Sequence, residues 1–135
     1  MQVEISPGEL VDKITILAIK RARISDAAKL RNVEHEYQLL NAILPPVFQN
    51  NAALRALQAA LQQVNEVIWQ VEDDIRDHER EQNFGPGFVA LARAVYVNND
   101  HRAALKREIN ELMGSGIVEE KSYASYTRLA EPKPK

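Results

Sequence analysis

One apolar stripe constrains this chain more than any other feature. Leu54, Leu57, Leu61, Val64, Ile68, Val71, Ile75 and His78 follow one another at spacings of three and four without a break. Side chains recur on one side at that interval in an α-helix, whereas a strand would repeat every second residue. The spacing predicts a helix over about 51–82, capped by Asn50 or Asn51 and roughly 48 Å long at about 1.5 Å per residue. A rod of that length needs a partner of similar length to bury its stripe. The next segment supplies one. The NFGPG segment at 83–87 is a strong break. After it a second stripe runs through Phe88, Leu91, Val95, Asn98, Arg102, Leu105, Ile109 and Leu112, and the glycines of GSG at 114–116 end it. Two long helices joined by so short a break form an antiparallel hairpin.

Two shorter helices precede it. In ISPGEL, Ser6 suits an N-cap, Pro7 the first turn, and Glu9 completes an S-x-x-E capping box. A first helix from about Pro7 to Ile24 then carries Leu10, Ile14, Leu17 and Ile24 on one face, with Lys20, Arg21 and Arg23 at the end where the helix dipole favours cations. Ser25 or Asp26 caps a second helix, with stripe Leu30, Val33, Tyr37, Leu40 and Leu44, which Pro45 and Pro46 stop. No strand pattern or internal repeat appears. The expected fold is all-α and four-helix-bundle-like: a long antiparallel hairpin with two shorter N-terminal helices, in a single domain over 1–122, followed by an irregular or disordered tail over 123–135. The first helix, about 27 Å long, is too short to cover the hairpin seam. A second copy would cover the rest, so a homodimer is expected.

Composition narrows the function classes. At 135 residues the chain can bury a core without metals or disulfides. A net charge of -2 gives no general attraction to phosphate backbones or anionic lipid, so neither nucleic acid nor membrane is an expected partner. With no cysteine there is no thiolate nucleophile or Cys-based zinc site, and the N-terminal MQVEISPGEL has no export pattern, so a cytoplasmic location is expected. No cofactor or metal is expected. Bundle di-iron sites use Glu-x-x-His, but His35, His78 and His101 follow Asn32, Ile75 and Asn98 at that interval. A pyrophosphohydrolase with paired carboxylates would draw on Glu108 and Glu111 with Asp74 and Asp77, which the antiparallel register separates. Phosphate-cradling and nucleophile-elbow motifs are missing from the sequence.

The unusual feature is a polar break in the fourth helix. In VYVNNDHRAALKREIN, residues 95–110, amides and a guanidinium stand where apolar side chains are expected. A hairpin turn at 83–85 sets Arg102 opposite Glu66 and near Asn65, and sets Asn98 and Asn99 opposite Trp69 and Gln70, one turn from Glu72. Residues 66–81 hold seven carboxylates against Arg76 and Arg80, so the two halves attract. One reading is structural: Arg102 bonds Glu66 or Glu72 and fixes the hairpin register. The other is a ligand site made of Asn65, Glu72, Asn98, Asn99, Arg102 and Lys106, receiving an anionic or sugar-phosphate molecule with Glu72 or Glu66 as proton acceptor. His78 reads as a capped interior histidine, and Trp69 as core or dimer interface. Tyr123 and Tyr126 would latch the tail onto the bundle or close over a pocket.

The segments ISPGELVDKITIL (5–17), VN (64–65), W-x-x-E-D-x-I-R (69–76), LAR-x-VY (91–96), ND-x-RA-x-LK (99–106), IN (109–110) and EEKSY (119–123) together resemble a small, wholly helical bacterial family known as a domain of unknown function. The resemblance spans nearly the whole chain. It implies no assigned reaction and a loose association with bacterial glycan-related proteins. The family-like polar positions are Glu9, Asp12, Lys13, Asn65, Glu72, Asp73, Arg76, Arg93, Tyr96, Asn99, Asp100, Arg102, Lys106 and Asn110, while Ala18 and Gln70 stand where relatives carry larger or acidic residues. Gly8, directly after Pro7, leaves the first-turn N–H groups accessible, either as a plain cap or as an anion receptor. Two functions follow: a cytosolic helical module that assembles with itself or binds a partner protein, or a small-molecule binding protein or enzyme whose site lies between the third and fourth helices.

Overall fold

Every helix of the fold starts from a residue whose chemistry dictates it. In the computed structural model, which describes residues 1–127, these helices are α1 (Pro7–Arg23), α2 (Ala27–Ile43), α3 (Val47–Asn50), α4 (Ala52–Arg80) and α5 (Pro86–Leu112), and no strand occurs among the described residues. Side-chain oxygens satisfy the first free N–H groups: Ser6 accepts from Glu9, Asp26 from Lys29 and Asn51 from Leu54. The fold is all-α, as the stripes require. The four-residue α3 was not legible in the sequence. It forms where Pro45 and Pro46 stop α2, and it turns Phe48 under the core at 1% exposure. The irregular tail expected over 123–135 lies partly outside the described residues, and residues 123–127 carry no helix.

α4 and α5 pack along each other as the hairpin, and α1 lies against both. α1 runs antiparallel to α5, since Gly8 meets Asn110 and Asp12 meets Arg102. α2 folds back along α1 and packs against no other helix. This layering explains an uneven burial. α1 is covered on two sides, so Val11 and Ile19 are buried along with the expected Leu10, Ile14 and Leu17, whereas α2 buries Val33 alone. The core joins Val11, Phe48, Leu54, Leu61, Val64, Leu105 and Ile109 at the end of the bundle closed by α3.

The hairpin outruns its cover. α1 ends at Arg23, whose guanidinium reaches Gln70 at 3.4 Å, while α4 continues to Arg80. About ten residues of each long helix, roughly 15 Å, therefore project as a two-helix rod. Val71 is the last buried residue of α4, and α5 buries none before Leu105. Both long helices end in the same way. After α5, Ser115 donates to the Asn110 carbonyl and Gly114 to that of Glu111, with Gly114 at φ 64°. After α4, Asn83 donates to His78 and Gln82 to Glu79, with Gln82 at φ 53°. These are paired Schellman closures, one with the glycine this conformation favours and one without. No described helix is long and apolar enough to cross a membrane.

Candidate functional site

The polar break of α5 faces α1. Arg102 donates through Nε to Asp12 Oδ1 at 2.8 Å and through Nη2 to Asp12 Oδ2, a bidentate fork on a carboxylate that is 2% exposed. The expectation that Arg102 bonds Glu66 or Glu72 is therefore corrected: Glu66 is exposed, and Glu72 pairs with Arg76 on its own helix at 2.6 Å. The physical reason is access. Asp12 stands on a helix packed against both α4 and α5, within bidentate reach of Arg102, while Glu66 faces solvent and Glu72 is taken by Arg76.

Asn65 completes the cluster from α4. Its amide donates to Asp12 Oδ1 at 3.0 Å and to Thr15 Oγ1 at 2.9 Å, while the Thr15 hydroxyl donates to the Asp12 carbonyl. Three helices thus converge on one carboxylate. One turn further along α5, Lys106 lies between Glu9 of α1 at 2.7 Å and Glu119 of the tail at 2.8 Å. Another turn on, Asn110 Oδ1 accepts from the Gly8 N–H at 2.7 Å. The first-turn N–H offered by the sequence as an anion receptor is taken by this carboxamide. Gly8 is required for the approach, because a Cβ there would lie 2.5 Å from the Lys106 carbonyl oxygen.

These contacts fix the charge states. Burial alone would push Asp12 up, but hydrogen bonds from Arg102 and Asn65, with the charges of Arg102 and Lys106, together hold it below its ordinary value. The hydrogen bond to Asp12 raises Arg102 further. Burial would lower Lys106, yet its bonds to Glu119 and Glu9 outweigh that and raise it. Its hydrogen bond lowers Glu119 in turn. Asp12 is therefore ionised and Lys106 protonated throughout the neutral range, so neither is poised for proton transfer.

Of the six residues expected from the sequence, the structure gathers Asn65, Arg102 and Lys106 around α1. Glu72 lines a cavity beside them, together with Asn65 and Arg102. Asn98 bonds back to the Ala94 carbonyl at 2.8 Å, and Asn99 is half-buried with no side-chain hydrogen bond among the described residues. Asp12, Thr15 and Glu9 were not in that set of six. Asp12 and Glu9 appeared among the family-like positions, and the detectable signal for Thr15 is a polar pair at i, i+3 inside a helix otherwise apolar on several sides. His78 is half-buried with Nδ1 at 2.9 Å from the Asp74 carbonyl. The tail crosses α5: Glu120 pairs with Arg107 at 3.1 Å and Tyr126 stacks on Tyr96 at 5.3 Å, while Tyr123 is 80% exposed.

This is an all-α chain whose polar cluster joins three helices. It belongs to a family of unknown function, DUF6165, whose model matches residues 1–135. No curated protein and no solved structure matches the chain.

Proposed function

We propose that the chain is a non-catalytic, self-assembling helical module that works as a homodimer. The observation that carries this reading is the projecting hairpin. Its apolar side chains Val89, Tyr96 and Val97 on α5 are 43–51% exposed, and Phe84 in the turn before it is 48% exposed. One copy exposes 9750 Å², against about 7,100 Å² for a compact protein of its mass. Part of the excess is the extended stretch over 117–127. A cytoplasmic setting agrees with the lack of cysteine.

The polar cluster supports the same reading. Arg102 is closed by Asp12, and Lys106 by Glu9 and Glu119, so the two cations expected to receive an anion already hold carboxylates. The cluster fastens α1 to the hairpin. Sedimentation at tens of micromolar tests the reading: a species near twice the 15.3 kDa chain mass is expected, and a lone 15.3 kDa species would overturn it.

A further inference from the structure

The chain doubles back after α5. Residues 117–126 carry no helix and return along the outer side of α5, anchored at two ends. At one end Glu119 pairs with Lys106 at 2.8 Å and Glu120 with Arg107 at 3.1 Å. At the other, Tyr126 stacks on Tyr96 with ring centroids 5.3 Å apart. Six residues from Glu120 to Tyr126 reach about 20 Å when extended, and the stretch of α5 from Tyr96 to Arg107 is about 16 Å long. The segment is a strap with little slack. Its middle is loosely packed, for a cavity of about 700 Å³ lies between α5 and residues 114–121, with Asp100, Ala103 and Ala104 on the helix side.

Helical periodicity shows what the strap covers. Val89, Tyr96 and Ala103 recur every seven residues and so share one side of α5, opposite the buried Leu105 and Ile109. Arg93, Val97, Asp100 and Ala104 flank that line. Arg93 and Asp100 are exposed, opposite in charge, and make no ion pair among the described residues. This side is complementary to itself. A second copy laid antiparallel, with the two-fold axis between residues 96 and 97, sets Arg93 of each copy opposite Asp100 of the other, and Val89 opposite Ala104. Tyr96 and Val97 meet their mates at the axis. Packed helices lie about 8–10 Å apart, which leaves no room for a strap between them. We infer that two copies pair in this register along the outer sides of α5, and that the strap is an autoinhibitory contact that opens for them to do so. The inference rests on the homodimer reading and deepens it by naming the face, its register and its control.

Sedimentation of the full chain and three variants at 1–100 µM protein and low salt tests it. Arg93, Asp100, Glu120 and Tyr126 are all exposed, so substitution leaves the core intact. An ion pair and an aromatic stack hold a strap closed on the order of tenfold, and association weakens by the fraction of copies that are open. Glu120→Gln with Tyr126→Ala should therefore tighten the dimer about tenfold or more. Asp100→Arg sets like charges opposite each other and should weaken it about tenfold, while adding Arg93→Asp should restore it. A strap variant that dimerises no more tightly than the parent, an Asp100→Arg variant without effect, or a charge exchange that fails to restore pairing would overturn the inference and leave the dimer reading standing. A lone 15.3 kDa species in parent and strap variant alike would remove both.

Discussion

Asp12 is the residue on which the bundle turns, because it accepts from two helices that would otherwise bury unmatched donors. Truncating it leaves the Arg102 guanidinium facing an apolar gap. Loss of one partner of a buried pair costs about 3–5 kcal/mol, and Arg102, 27% exposed, still reaches water. Asp12→Ala should therefore lower the unfolding free energy in urea by about 3 kcal/mol, the low end of that range. Replacing both partners, as Asp12→Leu with Arg102→Met, should recover most of the loss, since an apolar pair of similar volume removes both charges together. A single variant as stable as the parent would show that the pair does not hold α1 in place. The pH dependence follows from the same residue. Asp12 lies below its ordinary value in the fold, so the unfolded chain binds more protons in acid. Its contribution is complete above about pH 4 and fades as pH falls through the lower native value. Lys106 is raised, so its contribution is complete below about pH 10 and fades above that. Thermal melts should show a plateau across the neutral range, an acid limb that Asp12→Asn flattens, and a separate alkaline limb.

Among the elements, α4 and α5 were legible because each carries a long apolar stripe at three- and four-residue spacing and a short break between them makes a hairpin, although both also pack against α1. α1 was only half legible. A helix covered on two sides has two apolar faces, so the stripe Leu10, Ile14, Leu17 and Ile24 hid Val11 and Ile19, and Asp12 looked like an ordinary polar position. The acid partner of Arg102 was misassigned for a related reason. Hairpin register can be read from a turn, but the register of α1 against α5 depends on a close approach at Gly8 that only packing reveals. Arg102 and Lys106 themselves were visible as breaks in an apolar stripe. The turn between α4 and α5 carries a correctable strain. Gln82 occupies the left-handed position that Gly114 fills at the end of α5. Holding a side chain there costs about 1 kcal/mol, partly offset by the greater freedom of glycine when unfolded. Gln82→Gly should raise the unfolding free energy by about 0.5–1 kcal/mol with an unchanged denaturant slope, and a fall in midpoint would contradict the closure described for α4.

For the molecule as a whole, the question is what covers the projecting rod. Two helices bury only the sides that face each other, and a pair this short gains little from helix propensity alone. Half-buried Ile75, Phe88, Leu91 and Val95 line the inner seam, while Val89 and Val97 stand 51% and 43% exposed on α5. A second copy laid along α5 would bury this outer face and rigidify the rod at the same time. Association that stabilises only the folded state makes the melting temperature rise with protein concentration. The parent protein should show that rise between micromolar and hundreds of micromolar. Val89→Glu with Val97→Glu should remove it, because two charges opposite their symmetry mates would be desolvated together. In a lone copy both positions face water, so the same variant should melt close to the parent at the lowest concentration, within about 0.5 kcal/mol. A variant that unfolds even when dilute would mean that these valines serve the interior of one copy. One that keeps the concentration dependence would move the interface off this face of α5.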